Sequence, residues 1–270
     1  MRIVMIGAGR LATNLSVALQ KAGHEIAQVY SRTMASASAL ATFLNTEATD
    51  QAETLRTDAD VYVFSIKDAA LPHLIPVVCR NNIRALFVHT AGSMPMSIFE
   101  GHAERYGVFY PMQTFSKERI VDFADIPVFL EGCNEETFRQ MEMLAQSVSH
   151  QVMRLSTEDR KFLHLAAVFA CNFANHCYEL SAEILERHGI PFDVMLPLID
   201  ETAAKVHHLS PKEAQTGPAV RYDENVIRAH TTLLKDRPTV QQIYQTMSHS
   251  IHQTALPNEE LVYSPNSNIR

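Results

Sequence analysis

At 270 residues with 46% hydrophobic side chains, the chain is long enough to bury one large core or two moderate ones, which excludes disordered and fibrous classes. A net charge of −7 and the scatter of its 23 lysines and arginines leave no basic patch for nucleic acid or an anionic membrane. No apolar run reaches the ~18 residues of a membrane helix, and the start has no signal-peptide pattern. Four cysteines without a C-x-x-C suit a reducing compartment, so a cytoplasmic address is expected. The 13 histidines include no H-E-x-x-H, and no metal is expected.

In chain order, apolar runs predict strands at 2–6, 25–30, briefly at 46–49, then at 61–66, 85–90, 107–110 and 127–131. Helical patterns begin at Leu11, Thr33, Asp68 and Glu135 between several of them, and the alternation predicts a parallel, doubly wound α/β sheet. From about Ser156 strand signals vanish. Thr157 to His188 reads as one long helix, with Ser156 or Thr157 as cap, acidic residues in the first turn and Gly189 just beyond. Pro191, Pro197, Pro211, Pro218 and Pro238 divide the rest into shorter helices. The expected organisation is a Rossmann domain at 1–155, an all-helical domain at 156–256 and a loose polar tail at 257–270.

The stretch "MIGAGRLA" places Gly7, Gly9 and Ala12 where a strand turns into a helix. In a dinucleotide site the first position permits the tight turn, the second lets backbone approach a pyrophosphate, and the third packs helix on strand. The helix then offers its free N–H groups and positive dipole end to the phosphates, beside Arg10 and Leu11. The second strand ends in Ser31, Arg32 and Thr33, without the acid that would hold the ribose hydroxyls of NAD. A guanidinium flanked by hydroxyls suits a 2′-phosphate, so NADP(H) is the expected cofactor. The alternative for these residues is a helix cap at Ser31 or Thr33 and a solvated Arg32.

Ligands of open α/β sheets lie outside the carboxyl ends of the strands. That rule selects Ser65, Ile66 and Lys67, then His89, Thr90, Gly92 and Ser93 in "HTAGS", and the segment "YPMQTFS". Asp68 is read as a helix cap. Five motifs, "IGAGRLATNLSVAL", "HTAGS", "FYPMQTFS", "HLAAVFACNFANH" and "TGPAVRYDENVIRAH", together resemble a bacterial family of NADP oxidoreductases that join a Rossmann-like domain to the domain of unknown function 2520. More distantly the chain is similar to pyrroline-5-carboxylate reductase, ketopantoate reductase and 6-phosphogluconate dehydrogenase-like proteins. The resemblance implies a C-terminal helical domain of the 6-phosphogluconate dehydrogenase type, often dimer-forming, that closes the site over the nicotinamide. Tyr110 stands where the family tends to have histidine, which puts an acid–base role there in doubt.

Counted at about 100° per residue, His164, Cys171, Asn172, Asn175 and Glu179 form a polar stripe on an otherwise apolar helix. Hydride delivery to C=O or C=N needs a nearby proton donor, and histidine suits neutral pH. The catalytic candidates are therefore His164, Asn172 and Ser93. Gly92, Ser93 and Arg221 are candidates for substrate binding, Arg221 through a carboxylate, unless it merely pairs with Asp223. None of the lysines has asparagine four positions on, so the K-x-x-x-N chemistry of hydroxyacid dehydrogenases is not expected. The sequence thus predicts an NADP(H)-dependent oxidoreductase of small carbonyl or imine metabolites, as a homodimer through its helices. The alternative is a non-catalytic NADP(H) sensor. The glycine turn alone also fits a deazaflavin-dependent enzyme.

Overall fold

A computed structural model describes residues 1–80 and 84–256, so the expected tail at 257–270 lies outside the described residues. The chain forms β1 (Arg2–Ile6), α1 (Arg10–Lys21), β2 (Glu25–Tyr30), α2 (Met34–Leu44), β3 (Glu47–Thr49), β4 (Val61–Phe64), α3 (Leu71–Cys79) and β5 (Leu86–His89). It continues with β6 (Arg105–Pro111), β7 (Val128–Gly132), α4 (Glu135–Gln146) and β8 (Val152–Arg154). These strands make one eight-stranded sheet in the order β3-β2-β1-β4-β5-β6-β7-β8. The first six positions are the Rossmann order, with the reversal between β1 and β4.

Both faces of the sheet are covered, which explains its continuous apolar runs. Ile3 and Met5 of β1 face α1 and α2 with Ala12, Leu15, Leu19 and Leu40. Alternate residues Val4 and Ile6 join Phe64, Ile75, Val78, Phe87 and Phe99 on the opposite face.

The far edge of the sheet adds two features to the expected parallel, doubly wound arrangement. β6 and β7 are antiparallel, with Phe109 opposite Leu130, because the chain between them carries no crossover helix. β8 then pairs parallel to β7, Val128 opposite Val152, as an edge strand that its three-residue length kept from sight.

The expected long helix is also interrupted. α5 (Thr157–Ala167) is capped by Ser156, whose hydroxyl accepts the Asp159 amide at 3.1 Å. It passes into a π-helical segment, Val168–Phe173, before α6 (Ala174–Glu186) begins. The chain divides into two compact units, Met1–Phe173 and a second from Ala174 onward. Periodicity alone places the division near residue 155, where strands end; the contacts place it inside the helical run. The second unit holds α6, α7 (Leu196–Lys205), α8 (Pro211–Ala214), α9 (Glu224–Leu233) and α10 (Pro238–Ala255). Pro197, Pro211 and Pro238 stand in the first turns of α7, α8 and α10, where a missing N–H costs nothing. No described helix is long and apolar enough to cross a membrane.

Candidate active site

The glycine turn meets the demands of a dinucleotide cradle. Gly7 has φ +124°, and a Cβ there would lie 2.0 Å from the Ser65 carbonyl oxygen, so no other residue fits. Gly9 is different: a Cβ on it would meet no protein atom within 4 Å. Packing therefore does not require glycine at position 9, whereas close approach of a phosphate does. Gly9 caps α1 without a side-chain hydrogen bond and no acid occupies the first turn, leaving the amide donors to an anion. Ala12 is fully buried and seats α1 on the sheet. Its place is beneath the cleft rather than in its wall.

The cleft has a volume of about 850 Å³ and lies wholly within the first unit. Gly7, Gly9, Arg10 and Leu11 line it beside Ser31, Arg32, Thr33 and Ser36. Ser65, Ile66, Lys67, Thr90 and Gly92 continue the wall from the ends of β4 and β5. Thr33 does cap α2, accepting the Ser36 amide at 3.4 Å, while Arg32 is exposed and forms no ion pair among the described residues. Gln113 and Phe115 line the cleft from the loop after β6. That loop is tied to α1 by the buried Asn14. Its side chain donates to the Arg10 and Ser116 carbonyls at 2.9 and 2.7 Å and accepts the Val121 amide at 2.9 Å.

At the cleft, α5 contributes His164, whose Nδ1 lies 3.0 Å from the Tyr110 hydroxyl at the end of β6. Gly92 sits against the imidazole, and a Cβ there would come within 2.6 Å of Nδ1. One turn before His164, Arg160 is 1% exposed and pairs with Glu131 of β7 at 2.7 Å. It also donates to the Met94 carbonyl at 2.6 Å, and Thr157 donates to the same Glu131 carboxylate at 2.7 Å. This network fixes the start of α5 against the sheet and the "HTAGSMP" loop. Sequence reasoning missed Arg160, Glu131, Asn14 and the contact of Tyr110 with His164. The i,i+4 spacing of Arg160 and His164 was the one visible signal that both share a face.

Other expected site residues lie elsewhere. His89 is fully buried, a correction to its reading as a cofactor contact. Its Nε2 donates to the Pro95 carbonyl at 3.3 Å, its Nδ1 accepts the Ala91 amide at 3.2 Å, and its ring stacks on Phe99. Ser93 does not line the cleft; its hydroxyl donates to Asp68, which does. Asp68 is accordingly not a cap, that position being Lys67. Asn172 falls in the π-helical segment and outside the cleft wall, eight residues along the helix from His164. Glu179 engages His176 of its own helix at 2.8 Å. Arg221 belongs to the second unit, exposed and without an ion pair among the described residues; Asp223 instead caps α9.

Residues 2–89 match the family described as NADP oxidoreductase, coenzyme F420-dependent, and residues 126–251 match the domain of unknown function 2520. No curated protein matches the chain. Among solved structures, a putative NADP oxidoreductase from Bacteroides fragilis is 52% identical with TM-score 0.91, over 93% of this chain and 98% of that one. A protein from Thermotoga maritima is 22% identical with TM-score 0.77, over 94% and 99%. An imine reductase from Myxococcus stipitatus, solved with NADP+, is 17% identical with TM-score 0.69, over 94% and 93%, and shares the fold. Half of all positions kept over nearly the full length of both chains is the likeness of one family, and this chain belongs with the Bacteroides fragilis protein among the NADP-dependent oxidoreductases.

Proposed function

We propose that the enzyme transfers hydride between NADP(H) and a small carbonyl or imine compound in the cleft of its first unit. The observation that carries this reading is the placement of a proton-carrying pair, His164 and Tyr110, in the same cleft as the glycine turn. The cofactor, when bound, supplies or accepts a hydride at its nicotinamide. Gly7, Gly9, Arg10 and Leu11 hold the pyrophosphate through α1 amide donors and close backbone approach. Ser31, Arg32 and Thr33 hold the 2′-phosphate, with Ser36 adding a hydroxyl beside them. Ser65, Ile66, Lys67 and Thr90 flank the rest of the cofactor, and Gly92 seats the His164 ring, since a Cβ there would come within 2.6 Å of Nδ1. His164 delivers or takes the proton that must accompany hydride at the substrate heteroatom. Ser93 acts through Asp68 rather than by contact. Two solved proteins that share this fold, the Myxococcus imine reductase and a Streptococcus pyogenes 1-pyrroline-5-carboxylate reductase, make C=N compounds our first choice of substrate class.

The apolar face of α5 and its π-helical continuation supports a homodimer. Phe162, Leu165, Phe169 and Phe173 are 72%, 53%, 64% and 50% exposed, on the side of the helix away from Arg160 and His164. A second copy of the chain is the partner we assign to this face.

Replacing Arg32 with Asp tests the cofactor assignment. A repulsive carboxylate in place of the guanidinium is expected to weaken NADPH binding by about 10- to 100-fold in a fluorescence titration, since a charge-assisted hydrogen bond contributes ~1.5–3 kcal/mol, and to leave NADH nearly unaffected. An unchanged preference between the two would contradict it.

A further inference from the structure

Tyr110 is 8% exposed at the end of β6, lines the cleft and has two partners for a single phenolic proton. His164 Nδ1 lies 3.0 Å from its oxygen and the Met112 sulfur 3.6 Å. With Nδ1 bare, the phenol donates to the imidazole. With Nδ1 protonated, the imidazole donates to the phenol oxygen, and the phenolic proton is left facing a thioether, a weak acceptor. In that second arrangement the proton is available to a substrate atom in the cleft.

We propose that Tyr110 is the catalytic acid of the reduction and that His164 reloads it, the two forming a relay from solvent to substrate. The proposal rests on the reading of His164 as the source of the proton and adds the group that makes the final transfer. As hydride reaches the carbon of C=N or C=O, the Tyr110 O–H bond breaks and a heteroatom–H bond forms. The Nδ1–H bond of the imidazolium breaks as the phenolic O–H is restored, and the neutral imidazole then takes a proton from water. In the oxidative direction each transfer reverses.

Three features support the relay. Both side chains line the cleft, and Tyr110 is buried whereas His164 is exposed, so the phenol is shielded from water while the imidazole can exchange protons with solvent. Burial pushes the Tyr110 phenol above its ordinary value, the Arg160 guanidinium opposing in part, so the phenol keeps its proton at neutral pH. Gly92 gives the imidazole its seat, since any side chain there would force the ring away from Tyr110.

The test pairs nitrogen NMR with kinetics, using the full-length enzyme, NADPH and 1-pyrroline as probe. For neutral His164, ¹⁵N-histidine spectra should show a proton on Nε2 and a hydrogen-bonded Nδ1, and Tyr110→Phe should shift the Nδ1 resonance to its unbonded position. A neutral imidazole with its proton on Nδ1 overturns the relay. Tyr110→Phe should lower kcat at least about 100-fold, the scale of a lost general acid, with KM and NADPH affinity changed less than about 3-fold, and Tyr110→His should recover most of the rate. If Tyr110→Phe keeps wild-type kcat while His164→Ala loses it, the relay is wrong and the reading of His164 stands. If both variants keep kcat, that reading falls and the relay with it.

Discussion

His89 and His164 differ in what their ring nitrogens touch: backbone on both sides of His89, and the Tyr110 hydroxyl in the cleft at Nδ1 of His164, the histidine proposed to carry the proton. Both nitrogens of His89 are occupied by backbone, which specifies a neutral ring, and burial pushes its pKa down to about 4. A folded-state value below the ordinary 6.5 means that the unfolded chain takes up a proton the folded chain refuses. The stability from this group is complete above that ordinary value and is lost as pH falls toward the folded one. Across this window the loss is up to roughly 3 kcal/mol. Urea unfolding should show a smaller pH slope in His89→Gln than in the wild type over the same range; parallel slopes would contradict the assignment. The sequence alone could not sort the two histidines, because each follows a strand or lies on a helix with polar neighbours. Only the approach of Pro95, Ala91 and Phe99 to one, and of Tyr110 to the other, decides.

At the scale of elements, the buried Arg160–Glu131 pair governs how α5 meets the sheet. Arg160→Ala leaves the Glu131 carboxylate, itself 19% exposed, without its cation. Its cost is expected near the lower end of the range for broken buried pairs, about 3 kcal/mol, read as a lowered urea midpoint. A loss under about 1 kcal/mol would mean that α5 is held by other contacts. The first six strands and the glycine turn were legible in advance because each depends on local pattern, such as Gly7 between "IVMI" and α1. The antiparallel return of β7 was not, since it follows from a missing helix between Pro111 and Val128 rather than from any residue present. β8 has three residues, too few for alternation to register. The π-helical segment was equally hidden, since "VFACNF" has ordinary helix-compatible residues.

For the whole molecule, the proposal to be tested is a homodimer through the exposed apolar side chains of the helices. Beyond the face of α5, Leu198 and Leu233 are 62% and 81% exposed in the second unit, where Ala219 and Ser248 are the only buried residues among those described. Light scattering at micromolar concentration should return twice the 30.3 kDa of the chain, and Leu165→Asp should reduce it to one copy. A wild-type mass of one chain would contradict the dimer. The central proposal is that the glycine turn and the His164–Tyr110 pair serve one reaction, and a crystal structure with NADP+ bound tests this most directly. Nicotinamide C4 should lie within about 7 Å of the Tyr110 oxygen, the span of two contacts of ~3–3.5 Å with a substrate atom between them. A nicotinamide turned away from Tyr110 and His164, with its adenosine end away from Arg32, would contradict it.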